Sequence, residues 1–107
     1  MDYLQYDVYV FDPEPVRGKE VKKIRPCVIL SPDELNAYLA TIIIAPLTTK
    51  DRDYPFRPHV TIDRVHGSIM LDQIRCVDKS RLSKRIASLP HSAVLQVKDV
   101  LQNMLVD

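Results

Sequence analysis

The chain has 107 residues, 46% hydrophobic and 27% charged, with a formal net charge of +1. That length sets the expectation of a single domain over residues 1–107, with a real but modest core. The near-zero net charge excludes a global field that would drive the chain onto nucleic acid, and no apolar run approaches a membrane span. Residues 1–7 show neither the basic start nor the apolar run of a signal peptide, so a cytoplasmic location is expected.

Residues 5–12 alternate, with Tyr6, Val8 and Val10 on one face and Asp7, Tyr9 and Phe11 on the other, the pattern of a strand. Asp12-Pro13-Glu14-Pro15 ends it, because two prolines in three residues forbid both ladder and helix. Residues 16–23 form a polar loop. They carry Gly18 and most of a basic cluster in which Arg17, Lys19, Lys22, Lys23 and Arg25 outnumber Glu20. Residues 27–30 are consecutively apolar, as in a strand buried on both faces. Pro26 cannot donate to a ladder and belongs at the first residue of that strand, where it pushes Arg25 into an extended conformation. Arg25 is therefore a permanent cation at the rim of a core strand. Ser31-Pro32-Asp33-Glu34 has the form of a capping box, opening a single helical turn or a loop that reaches Tyr38.

Residues 40–46 read as a second buried strand, rich in β-branched residues and closed by Pro46. Leu47, Thr48 and Thr49 leave it on the far side. Residues 50–53 are a charged tip, and residues 55–63 alternate as a strand. In residues 65–68, Gly67 is expected to supply a turn with a positive dihedral. Residues 69–71 and 74–77 form one strand or two, broken near Asp72. Residues 79–82 suggest one helical turn, within a second basic cluster of Lys79, Arg81, Lys84 and Arg85. Residues 85–89 suggest a last short strand. From Ser92 the period changes to near 3.6, and Val94, Val97, Val100, Leu101, Met104 and Leu105 mark the core face of a helix. Several short strands and one C-terminal helix point to a small barrel closed by that helix. Cys27 and Cys76 both lie in apolar runs and read as reduced core thiols.

Only Gly18 and Gly67 are glycines, so there is no glycine-rich phosphate loop. There is no H-E-x-x-H motif and no acidic cluster spaced for magnesium, and His59, His66 and His91 are scattered. Any chemistry is expected to run without a metal or cofactor, on cations, hydroxyls and one carboxylate.

Val10-Phe11-Asp12-Pro13, Arg17-Gly18-Lys19-Glu20 and the run from Ile24-Arg25-Pro26 to Ser31-Pro32 occur in that order. Ala45-Pro46-Leu47-Thr48-Thr49, Tyr54-Pro55-Phe56 and Leu71-Asp72-Gln73-Ile74-Arg75 follow. In this order and spacing, nearly the whole chain resembles the MazF/PemK family of toxins from toxin–antitoxin pairs. The resemblance implies a mainly β, SH3-like barrel (the CcdB/MazF fold) with a C-terminal α-helix, assembled as a homodimer. It implies metal-independent cleavage of single-stranded RNA at short sequences, leaving a 2′,3′-cyclic phosphate and a 5′-hydroxyl. It also implies an antitoxin whose flexible acidic tail neutralises the enzyme. Catalysis in the family is carried by an arginine and a hydroxyl residue that fall on Arg25 and Thr48.

In such a cleavage the RNA supplies its own 2′-hydroxyl as nucleophile. A guanidinium fork suits the phosphorane, because it binds two phosphate oxygens and never loses its proton. A threonine hydroxyl holds a phosphoryl oxygen in register. Glu20 and Asp72 are the two candidates for the base. Lys19, Lys23, Thr49 and Gln73 are expected RNA contacts, with Tyr54 and Phe56 as stacking partners for unpaired bases. Three departures from the family pattern stand out. Met70 replaces a cation found in some members, Lys19 stands where some have histidine, and Tyr6 replaces a first-strand glycine, a change expected to touch only the edge. Two other readings remain, a gyrase-poisoning CcdB-like toxin and a non-catalytic SH3-like binding module. The absence of tryptophan and of an aromatic, glycine-containing tail weighs against the first. The second leaves the pairing of Arg25 with Thr48 unexplained.

Overall fold

In the computed structural model, which describes residues 2–12, 24–50 and 53–107, seven strands and two helices alternate. They are β1 (Asp7–Phe11), β2 (Arg25–Ile29), α1 (Asp33–Tyr38), β3 (Thr41–Thr48), β4 (His59–Ile62), β5 (Val65–Ile69), β6 (Arg75–Asp78), β7 (Leu82–Ser88) and α2 (His91–Leu101). Short 3-10 turns occupy Leu71–Gln73 and Lys79–Arg81. The strands pair antiparallel in the order β4-β5-β3-β2-β1-β7, with β6 also on β3. The result is the expected mainly β architecture, a curled half-barrel sheet with a C-terminal helix. No helix among the described residues is long and apolar enough to cross a membrane.

The curl centres on β3. One edge of β3 pairs with β2, while the other pairs first with β6 over Thr41–Ile44 and then with β5 at Leu47 and Thr48. Pro46 does not close this strand, as the sequence suggested. Leu30 N–H donates to the Ile43 carbonyl at 2.8 Å, so the odd-numbered residues of β3 turn their backbone groups toward β2. The nitrogen of Pro46 therefore faces the seam where β6 has ended and β5 has not begun. No ladder bond is lost there, and the Pro46 carbonyl accepts Met70 N–H at 2.8 Å.

β2 is buried on both faces, as its continuous apolar run required, with Cys27, Val28 and Ile29 all 0% exposed. Val28 packs with Val8, Ala45 and Leu47 under Ala93 and Val97 of α2. Cys27 and Ile29 face the opposite cluster around Tyr9, Phe11, Ile42 and Ile44. Burial pushes the Cys27 thiol up to about 12. Cys76 departs from expectation. It is a free thiol on the exposed side of β6, and Val77 is the residue of that strand turned inward.

Four local expectations are corrected. The capping box does not form, because Ser31 Oγ turns inward, donating to Asn36 Oδ1 and accepting Ile43 N–H at 3.1 Å. α1 nevertheless runs for six residues. The β4–β5 turn is Asp63-Arg64, with φ of 50° and 69°, and Gly67 lies inside β5. An Asp-Arg pair is an unusual choice for two left-handed positions, and it hid the hairpin in the sequence. The apolar stripe of α2 stops being buried beyond Leu101, because Gln102–Val106 winds as a π-helix and rotates Met104 and Leu105 outward. Finally, Tyr6 sits at φ 70°, so a tyrosine in place of glycine touches a left-handed backbone position and not just the sheet edge.

Candidate active site

Arg25 opens β2 opposite Phe11 of β1, which fixes its backbone, while its side chain stands exposed. Among the described residues, none accepts a hydrogen bond or ion pair from its guanidinium. Thr48 is the last residue of β3, level with Ser68 of β5. The β2–β3 ladder ends at the Cys27–Pro46 pair, so Arg25 and Thr48 each lie two residues past it, at the same end of the sheet. The Thr48 Oγ1 accepts the Lys50 N–H at 3.2 Å, which holds the hydroxyl in place and leaves its proton to donate.

Arg25 and Thr48 line one groove of about 420 Å³. Its floor is apolar, with Leu47, Val60, Ile62 and Ile86 contributing, and its polar edge is Arg25, Thr48, Thr49 and Lys50. An apolar floor with cations and hydroxyls at the rim can take a flat, unpaired base while its phosphate meets the rim.

Gly67 sets the width of this groove. A Cβ there would lie 2.5 Å from the Thr48 carbonyl oxygen, so only glycine lets β5 approach β3 at this level. The sequence marked Gly67 for the wrong reason, since a turn and a close approach both favour the same residue. Gly67→Ala is expected to cost about 1–3 kcal/mol as the two strands are forced apart. Urea denaturation measures this, and an unchanged midpoint would show that the contact can yield freely.

The other candidates fall elsewhere. Tyr54, Phe56 and Asp72 form a second group around Arg57, with Gln73 next to Asp72 in the 3-10 turn, and none of the four lines the groove. Asp72 accepts two hydrogen bonds from Arg57, Nε to Oδ1 and Nη2 to Oδ2, both 2.9 Å. Those bonds outweigh partial burial and hold its carboxyl below the usual carboxylate range, which weakens it as a proton acceptor. Glu20, Lys19 and Lys23 lie outside the described residues. His59 and His66 stack at 5.6 Å on the face of the β4–β5 hairpin turned away from Val60 and Ile62 of the groove. Among the described residues, no group of three or more His, Cys, Asp or Glu side chains could hold a metal ion. Sequence reasoning missed Lys50, which it placed in a charged tip, and Arg57. The only local signal for Arg57 was a lone cation in the run Tyr54-Pro55-Phe56-Arg57-Pro58, close to two aromatics and two prolines.

A family model for the PemK-like, MazF-like toxin of type II toxin–antitoxin systems matches residues 4–105 of the chain. A protein named Endoribonuclease MazF from Staphylococcus epidermidis is 35% identical over 101 residues, covering 89% of this chain and 84% of that protein. An Endoribonuclease MazF from Staphylococcus saprophyticus is 34% identical with the same coverage. Among solved structures, a MazE-MazF complex (Form-II) from Deinococcus radiodurans matches with a TM-score of 0.83 at 26% identity, over 98% of this chain and 96% of that one.

Proposed function

The chain belongs to the PemK-like, MazF-like toxins of type II toxin–antitoxin systems, and on that premise we propose that it is a cytoplasmic, homodimeric endoribonuclease toxin cutting single-stranded RNA without a metal. The observation that carries the reading is that Arg25 and Thr48, far apart in sequence, line the same groove. The MazE-MazF likeness supports a further part of it, a cognate antitoxin as partner, and the same reading gives that antitoxin an acidic flexible tail.

In this mechanism the 2′-oxygen of one nucleotide attacks the adjacent phosphorus and its proton passes to a base. The new O2′–P bond makes a phosphorane with additional negative charge. The P–O5′ bond then breaks, leaving a 2′,3′-cyclic phosphate, and the departing O5′ takes a proton from water. Arg25 stabilises the phosphorane through its two-pronged fork. Thr48 donates its hydroxyl to a phosphoryl oxygen, and Thr49 and Lys50 hold the flanking backbone. With both Asp72 oxygens taken by Arg57, Glu20 is the carboxylate this reading assigns to the 2′-proton, with Lys19 and Lys23 as phosphate contacts.

Incubation of the purified chain with a long unstructured RNA in EDTA, followed by mapping of the ends, tests this. Cuts at a short recurrent sequence with 2′,3′-cyclic phosphate and 5′-hydroxyl ends are expected at an undiminished rate. A need for magnesium, or 5′-phosphate ends, would refute the mechanism.

A further inference from the structure

The second polar group has a construction of its own. Arg57 and Asp72 are fifteen residues apart, and their fork-to-carboxylate pairing joins the loop before β4 to the 3-10 turn Leu71–Gln73. The Arg57 side chain is only 13% exposed, and its guanidinium carbon lies 4.9 Å from the Tyr54 ring centre and 6.0 Å from that of Phe56. Those rings are nearly parallel, 8° apart, with centres at 5.1 Å. A guanidinium that is both stacked and bidentate fixes orientation far better than a lysine would.

The assembly is tied to the strands that carry Thr48. Met70 N–H donates to Pro46 of β3, and Ile69 N–H donates to the Pro58 carbonyl at 2.9 Å. Tyr54 keeps 37% of its surface exposed, and Gln73 is exposed beside Asp72. What faces solvent is an aromatic surface, with the exposed Gln73, whose amide can both donate and accept, on the same 3-10 turn as Asp72. That is the chemistry for stacking one unpaired nucleobase and reading its edge. With Arg57 13% and Asp72 31% exposed, the two charges give up part of their hydration to meet, which offsets much of their attraction, and what the pairing fixes is geometry.

We propose that Arg57 and Asp72 are positioning residues that hold Tyr54, Phe56 and Gln73 as a rigid receptor for a single unpaired base, and that this receptor sets sequence selectivity. The proposal rests on the RNA-cleaving reading above. It gives Asp72 a role in substrate recognition instead of proton transfer.

The test uses the full chain, end mapping on a long RNA, and steady-state cleavage of an oligonucleotide bearing the wild-type cut sequence. Arg57→Gln and Asp72→Asn are expected to raise KM about 10-fold, with kcat within about 3-fold, and to relax one position of the cut sequence. Tyr54→Leu and Gln73→Ala leave the ion pair intact and are expected to relax that same position. They carry the test if the ion-pair variants melt early. Unchanged KM and cut pattern in Tyr54→Leu and Gln73→Ala would overturn the proposal, while wild-type cleavage left the general reading standing. A fall in kcat at constant KM for Asp72→Asn would also overturn it, by returning Asp72 to the chemistry. A wild-type chain that cuts no RNA would remove the premise, and the proposal with it.

Discussion

Arg25→Ala is expected to lower the single-turnover cleavage rate about 10²–10³-fold, the loss seen when one donor to a developing oxyanion is removed. The reasoning starts from position. Arg25 is paired through its backbone to Phe11 of β1, and its side chain is exposed at the groove rim. The substitution therefore removes the guanidinium without opening a cavity, and the melting temperature should hardly move. The charge matters more in the transition state than in the ground state, because the phosphorane carries more negative charge than the diester. The defect should appear in kcat, with a smaller change in RNA binding. Arg25→Lys should recover part of the rate, since a point charge replaces the charge and not the fork. Full activity in Arg25→Ala would rule this residue out.

Removal of the nucleophile is expected to have the larger effect. An RNA carrying a single 2′-deoxy or 2′-O-methyl nucleotide at the cut position should bind and resist cleavage, with a loss of at least about 10⁵-fold, the scale of a well-oriented intramolecular attack. Among the described residues that line the groove, none supplies a substitute nucleophile, since none of them is a histidine or carboxylate that could activate Thr48 or Thr49. Binding should persist, because phosphates and base faces are unchanged. The substituted oligonucleotide should thus act as a competitive inhibitor. Gel analysis of its ends after prolonged incubation checks the claim, and any cut at the substituted position would sink the mechanism.

Much of the sheet was legible in the sequence because burial writes itself into local pattern. The run from Cys27 to Leu30 and the β-branched residues of β3 announced strands covered on both faces, and Pro26 marked where β2 begins. Elements were misplaced where the signal was ambiguous. Gly67 drew the expected turn two positions past Asp63-Arg64, and Pro46 seemed to end a strand that passes through it. The helix face failed only where the winding changed beyond Leu101.

The candidate site divided along the same line. By itself the sequence determined which side chains are available, an arginine locked at a strand start by the following proline, a hydroxyl after an apolar run, and a family resemblance running through nearly every motif. Only the tertiary structure decided which of them meet. The bend of β3 between two neighbouring strands brings Thr48 to the groove with Arg25, and Arg57 draws Asp72 away into a different cluster. The physical reason is that periodicity and propensity act over a few adjacent residues. Strand register and the curl of a sheet depend on partners tens of residues away, and a one-residue shift in register would move every side chain of a strand to the opposite face.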